Sequence, residues 1–209
     1  MKGYFISVEG SDGSGKSTQL KNIEAYLRES GRDVVVTREP GGTPLAESLR
    51  ELLLDPQNKN MTDRTEMLLY AAARAQHVEE LIMPALSRGK TVLTDRFVDS
   101  SVAYQGYGRR LGDMVWDVNR IATAGVMPDI TIFLDLPYEL GIQRKEKEQG
   151  HVLDRLELEK REFHKRVYEG YLEISELEKC RICRIDASKT PDEVFGEIKE
   201  KLERLFVTD

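Results

Sequence analysis

Five short runs punctuate the chain, Phe5–Val8, Val34–Thr37, Thr91–Thr94, Ile130–Leu134 and Arg181–Ile185, and β-branched residues recur in each of them. Their length and composition predict strands. The stretches between them carry apolar residues at three- and four-residue spacing, which predicts helices over Leu45–Leu54, Thr65–Ser87, Met114–Ala124, Leu156–Leu177 and Asp192–Phe206. A further helix is expected around Leu20, Ile23, Tyr26 and Leu27. Pro84 should kink or restart the second of the longer helices. Pro191 with Asp192, after Ser188 and Thr190, marks a helix start. Strand and helix alternate throughout, so the expected fold is α/β, a parallel sheet of about five strands with helices on both faces. The chain has 209 residues, enough for one domain with a proper core, and shows no internal repeat and no low-complexity linker.

The turn between the first strand and the first helix is Gly10-Ser11-Asp12-Gly13-Ser14-Gly15-Lys16-Ser17, which fits the phosphate-loop pattern G-x-x-x-x-G-K-[ST] at every fixed position. The strand, loop, helix order is what the chemistry needs. Glycines let backbone N–H groups turn inward around phosphate oxygens, and the helix dipole adds partial positive charge there. Lys16 can reach the outer phosphates and the Ser17 hydroxyl can ligate Mg²⁺. A nucleoside triphosphate is the expected ligand.

A net charge of −6 and a pI near 5.3 argue against a general nucleic-acid or membrane surface, so any basic site must be local. No apolar run approaches the ~20 residues of a membrane span, and no signal-peptide pattern opens the chain. A cytoplasmic protein is expected. Cys180 and Cys183 lead into a strand pattern, and His77, His151 and His164 are scattered. Two reduced structural thiols fit this better than a zinc site or a redox pair.

Other polar groups stand where ligands bind in open α/β sheets, at the carboxyl ends of strands. Asp95 ends one apolar run, as a metal-holding carboxylate does, and Arg96 can fork onto a phosphate. Arg38 and Glu39 end another, before the Pro40-Gly41-Gly42 turn; a charged turn pair accounts for them equally. Tyr70 and Arg74 lie four apart on one helical face, either as the wall of a planar-base pocket or as a core tyrosine with a surface arginine. Ser100, Ser101, Tyr104 and Gln105 form an unusually polar and aromatic connector, fit to line a sugar or base site, with Ser100 alternatively a helix N-cap. The charged run from Gln143 to Glu162 breaks at Gly150, His151 and Val152. It reads as a solvated helical face or as a basic lid over a phosphate-bearing ligand.

Taken together, the Gly10–Ser17 loop, Thr37-Arg38-Glu39-Pro40-Gly41-Gly42-Thr43, Tyr70–Arg74, Asp95-Arg96 with Ser100–Gly106, Met127-Pro128-Asp129 leading into Leu134-Asp135-Leu136-Pro137, and Leu153-Asp154-Arg155 resemble the thymidylate kinase family of nucleoside monophosphate kinases over nearly the whole chain. The resemblance implies a P-loop NTPase fold with a helical lid at about residues 143–156, a single domain over 1–209, and phosphoryl transfer from ATP to dTMP with Mg²⁺. It implies that Gly10, Ser11, Asp12, Gly13, Ser14, Gly15, Lys16, Ser17 and Thr18 hold ATP, with Arg144 on its adenine and Asp186 to Thr190 on the other side. Arg38, Glu39 and Arg96 would serve the acceptor phosphate end. Tyr70 would stack on thymine, Arg74 would bond its O4 edge, Ser101 and Gln105 would face the base, and Tyr104 would crowd the sugar 2′ position. Ser17, Asp95 and Asp12 would serve the metal, with Asp12 also near the deoxyribose 3′-hydroxyl. The loop has no arginine between Gly10 and Lys16, so the catalytic base is expected in the lid, where Arg155 is favoured and Lys147 follows. A homodimer through face-to-face helices is also implied.

Three rival readings remain. One is a degenerate fold-mate with a structural or interaction role, although the expected charged positions outside the lid are filled. Another is a kinase for another small acceptor such as dUMP, UMP, CMP or a nucleoside. The third is a nucleotide-dependent switch, although the Asn-Lys-x-Asp guanine motif is missing: Asn58-Lys59-Asn60-Met61 lacks its aspartate.

Overall fold

In the computed structural model, which describes residues 3–146 and 153–207, five strands form one parallel sheet: β1 (Phe5–Glu9), β2 (Val34–Arg38), β3 (Thr91–Asp95), β4 (Ile130–Asp135) and β5 (Ile182–Asp186). Their order across the sheet is β2-β3-β1-β4-β5, so the chain reverses direction of winding on either side of β1. Each strand runs one residue past its expected carboxyl end, and that residue is charged: Glu9, Arg38, Asp95, Asp135 and Asp186. The register sets Arg38 opposite Asp95, and Asp135 opposite Asp186. The apolar runs thus fill the interior while their polar ends collect along one sheet edge.

Alternation along β1 separates two cores. Tyr4, Ile6 and Val8 pack on one face with Ile23 and Leu27 of α1 (Lys16–Glu29) and Val194, Ile198 and Leu202 of α9 (Pro191–Val207). Phe5 packs on the other face with Phe97, Phe133, Phe163, Val167 and Tyr171, under α3 (Asp63–His77), α5 (Val98–Ser101) and α8 (Arg161–Leu177). The remaining helices are α2 (Pro44–Leu54), α4 (Met83–Ser87), α6 (Met114–Ala122) and α7 (Tyr138–Glu146). Among the described residues, no helix is long and apolar enough to cross a membrane.

Three helical expectations need correction. The 65–87 stretch starts at Asp63 and is three pieces, α3, a π-helical segment at Val78–Ile82, and α4; the break falls before Pro84, which cannot donate to the preceding turn. The 98–108 segment is not a connector but α5 continued by a π-helical segment, Val102–Gly108. Ser100 lies inside this helix, and its hydroxyl binds Glu9 rather than capping a terminus. The helix expected from Leu156 begins at Arg161. Before it, the Asp154 carboxylate accepts the N–H groups of Leu156 and Glu157, both at 2.9 Å, which closes an isolated turn.

Candidate active site

The phosphate loop is shaped by glycines at positive φ, and at Gly13 a side chain would not fit. Gly13 has φ +77°, and a Cβ there would collide with the carbonyl of Gly141 on α7. Gly15 has φ +92° and hands the chain to α1. Lys16 is buried, and its Nζ donates to the carbonyls of Gly10 at 3.1 Å and Ser11 at 3.2 Å. Burial and the Arg96 charge pull its pKa down to about 8, against the attraction of Asp12, Asp95 and Glu9.

A cavity of about 620 Å³ opens over this loop. At one end it is lined by Asp12, Gly13, Gly15, Lys16, Ser17 and Thr18, with Arg144 and Lys145. At the other end stand Arg38, Glu39, Arg50, Tyr70, Arg74, Ser101, Tyr104 and Gln105. Asp95 and Arg96 lie in its wall between the two. Gly10, Ser11 and Ser14 shape the loop without lining this cavity; Ser11 borders a second cavity of about 390 Å³ with Tyr138 and His164.

Arg96 sits at φ +69°, a backbone conformation uncommon for a side chain of its size. It donates to the Gly10 carbonyl at 3.0 Å and to Asp12 Oδ1 at 2.8 Å. Burial pushes the Asp12 carboxyl up, but Arg96, Lys16 and Lys145 outweigh it and hold the carboxyl well below its ordinary range. Behind Arg96, Glu9 is fully buried, and burial with the Asp99 charge pushes its pKa up to about 7.

The Tyr70–Arg74 pair is arranged opposite to the core-tyrosine, surface-arginine alternative. Tyr70 is half-buried at the cavity, while Arg74 is buried. Arg74 is fixed by Glu39 at 2.7 Å, the Ser101 hydroxyl at 2.9 Å, the Phe97 carbonyl at 3.0 Å and Asn119. Glu39 spends its second oxygen on His77 Nδ1 at 2.9 Å, so it serves to hold Arg74. Gln105 faces the cavity and donates to Glu66 at 2.9 Å. Arg38 is half-exposed and pairs with Glu47 at 2.9 Å. Arg144 reaches from the Gly13 carbonyl at 3.4 Å to the Ala187 carbonyl at 3.3 Å, next to the Asp186–Thr190 turn.

Arg155 is not placed with the phosphate loop. It is buried and does not line the cavity. Its Nε donates to the Leu53 carbonyl at 2.8 Å, its Nη1 to Glu66 at 2.6 Å, and its backbone N–H to the Leu54 carbonyl at 3.1 Å. Arg109 joins the same carboxylate at 2.9 Å and reaches Glu159 at 2.5 Å. Arg155 thus ties the return of the lid segment to α2 and α3. Lys147 lies outside the described residues, as does the part of the lid from 147 to 152.

Sequence reasoning gave no role to Arg50, Lys145, Asp154 and Glu157, all of which line the cavity. Lys145 and Glu157 pair across it. Arg50 donates to the Pro40 carbonyl at 2.9 Å. Along α2 it reads as one charge on an amphipathic helix, and only the packing of α2 brings it to the site. Cys180 and Cys183 are free thiols, exposed and half-buried respectively.

The buried Asp95 Oδ1 has no hydrogen-bond partner, and Ser17 stands exposed at the same cavity. An unpaired anionic oxygen beside a hydroxyl is a donor set suited to a hard cation such as Mg²⁺, which takes its remaining ligands from phosphates and water.

A family model described as thymidylate kinase matches residues 8–198. A Geobacillus sp. thymidylate kinase is 50% identical over 197 residues, covering 94% of this chain and 94% of that protein. An Enterococcus faecalis thymidylate kinase is 51% identical over 189 residues, covering 90% and 89%. The crystal structure of thymidylate kinase from Ehrlichia chaffeensis superposes with a TM-score of 0.78 at 34% identity, covering 97% of this chain and 99% of that one. With a phosphate loop, an arginine-walled pocket and matches of this extent, the chain belongs to the thymidylate kinase family.

Proposed function

We propose that the protein transfers the γ-phosphoryl group of ATP to dTMP, giving dTDP and ADP. One observation carries this reading: a single cavity runs from the phosphate loop to a pocket walled by Tyr70 and Arg74, with Arg96 between them. An acceptor oxygen of dTMP forms the new bond to phosphorus, and the bond from that phosphorus to the β,γ-bridging oxygen breaks. Such transfer needs positioning and charge neutralisation rather than covalent participation by the protein.

The loop N–H groups, Lys16 and Thr18 hold the triphosphate, and Arg144 with the Asp186–Thr190 turn flanks adenine. Arg96, Arg38 and Arg50 face the acceptor phosphate. Tyr70 stacks on thymine, Arg74 with Ser101 and Gln105 reads its edge, and Tyr104 crowds the 2′ position. Asp95, Ser17 and Asp12 would hold Mg²⁺, which supplies charge neutralisation at the phosphates when bound. Lys145, whose charge acts on Asp12, and Lys147 serve the phosphates from the lid. The lid excludes water, so that the acceptor is a phosphate and not solvent.

We read the protein further as a cytoplasmic homodimer. The neighbouring helices α2, α3 and α6 leave Leu45, Leu52, Leu68, Met114 and Ile121 exposed, which supports a helix-to-helix contact between copies.

The test is product identification. Phosphorus NMR of a mixture of ATP, Mg²⁺ and dTMP with enzyme should show dTDP and ADP growing in equal amounts. Inorganic phosphate growing in place of dTDP would overturn the proposal.

A further inference from the structure

Arg96 is aimed partly by groups in the cavity wall, Asp12 and Ser100, and partly by Tyr171 and Glu9 behind it. Its Nη2 serves Asp12, while the two N–H groups of Nη1 are shared among the Gly10 carbonyl and two hydroxyls, Ser100 Oγ and Tyr171 Oη, each at 3.1 Å. Those hydroxyls converge on one carboxylate: Ser100 Oγ lies 2.5 Å and Tyr171 Oη 3.0 Å from Glu9 Oε2. A hydroxyl carries one proton and two lone pairs. Ser100 Oγ and Tyr171 Oη also stand 2.8 Å apart, so one hydroxyl donates to Glu9 and the other to Glu9 or to its neighbour; in either arrangement each keeps a lone pair for the guanidinium. Burial and the Glu9 charge push the Tyr171 hydroxyl well above its ordinary pKa, so it keeps its proton.

The carboxylate behind them is itself immobilised. Glu9 accepts the Phe97 N–H at 2.6 Å and the Ser7 hydroxyl at 3.1 Å, and it is fully buried. The Tyr171 ring is stacked on Phe133, with centroids 5.1 Å apart and planes 16° from parallel, so its hydroxyl cannot swing away. Neither Glu9 nor Tyr171 lines the cavity. Tyr171 belongs to α8, the helix that follows the lid segment.

We propose that Tyr171, braced by Glu9, is a positioning residue that directs the Arg96 guanidinium at the acceptor phosphate. The proposal rests on reading the arginine-walled end of the cavity as a monophosphate site. The aim of Arg96 then depends on α8 being seated, so the arm behind the lid and the acceptor phosphate are linked through one phenol. Glu9 and Tyr171 stand behind the cavity wall and act on the ligand only through Arg96. Their effect is confined to how well one cation meets the phosphate.

Tyr171→Phe keeps the stacked ring and deletes only the hydroxyl. Calorimetry should be run on wild type and variant with dTMP and with thymidine, which lacks the phosphate. The expected result is a loss of about fivefold to thirtyfold in dTMP affinity and less than about twofold for thymidine. Ser100→Ala should repeat this pattern. In an Arg96→Ala background, Tyr171→Phe should cost dTMP nothing further, because the interaction it supports is gone. Equal losses for both ligands, or an undiminished effect in the Arg96→Ala background, would overturn the proposal. A wild-type protein that fails to bind dTMP would overturn the monophosphate reading together with it, and that outcome appears before any substitution is made.

Discussion

Lys16 and Arg155 are both buried cations, and their partners assign them opposite tasks. Lys16 donates to the loop's own carbonyls and lines the cavity, so a triphosphate can take it over. Lys16→Ala should lower kcat by about a hundredfold or more, with folding intact by circular dichroism. Because its pKa sits at about 8 in the free protein, bound phosphates should raise it again. ATP binding at about pH 8.5 should therefore take up protons, measured by calorimetry in buffers of different ionisation heat. Uptake that persists in Lys16→Ala would assign the proton elsewhere. Arg155, in contrast, is spent on Glu66 and the Leu53 carbonyl. Arg155→Ala should cost about 1–3 kcal/mol in thermal or denaturant unfolding and lower kcat by less than about tenfold. A hundredfold loss of kcat with unchanged Tm would return Arg155 to the phosphates. The sequence shows that an arginine follows Asp154, but its partners come from Leu53 and Glu66, far away in the chain. No local pattern distinguishes a phosphate base from an anchor.

At the level of elements, periodicity located every strand and the core of every long helix. It missed how far strand pairing extends and where two helices widen into π-helical turns. The strand ends were read as polar boundaries, yet pairing continues through Glu9, Asp95 and Asp186 because the neighbouring strands supply partners there. The π-helical segments at Val78–Ile82 and Val102–Gly108 escape a helical pattern, since five to seven residues hold too few inward positions to reveal a change of period. The phosphate loop is the element most completely legible, because its glycines answer a backbone requirement. Gly13→Ala would force a Cβ onto the Gly141 carbonyl and strain a positive φ. ATP affinity in that variant should fall by more than about tenfold. Unchanged ATP affinity by equilibrium binding would mean that the loop and α7 do not need this close contact.

Across the whole molecule, the strand order places the reversal of winding between β1 and β3, and the charged strand ends Glu9 and Asp95 stand beside it. The donor half of the site was legible from one motif. The acceptor half came from dispersed pairs that acquire meaning only when α2, α3 and α5 converge, which is why Arg50 went unread and Glu39 was assigned to substrate instead of to Arg74. The exposed apolar residues on α2, α3 and α6 give the molecule a face that a second copy can cover. Ile121→Glu, at an exposed position, should shift the protein from dimer to monomer in sedimentation, and a wild-type monomer at all concentrations would contradict that assembly.

The central claim is that one cavity joins ATP to a thymine-bearing monophosphate. Its most direct test is acceptor-dependent ADP release with ATP and Mg²⁺, comparing dTMP, dUMP, UMP, CMP, AMP and no acceptor. Release should be fast with dTMP, poor with UMP, and almost absent without an acceptor, as Tyr70, Arg74 and Tyr104 require. Slow release at the same rate in every mixture would contradict it, leaving a phosphate loop that hydrolyses ATP without passing the phosphoryl group on.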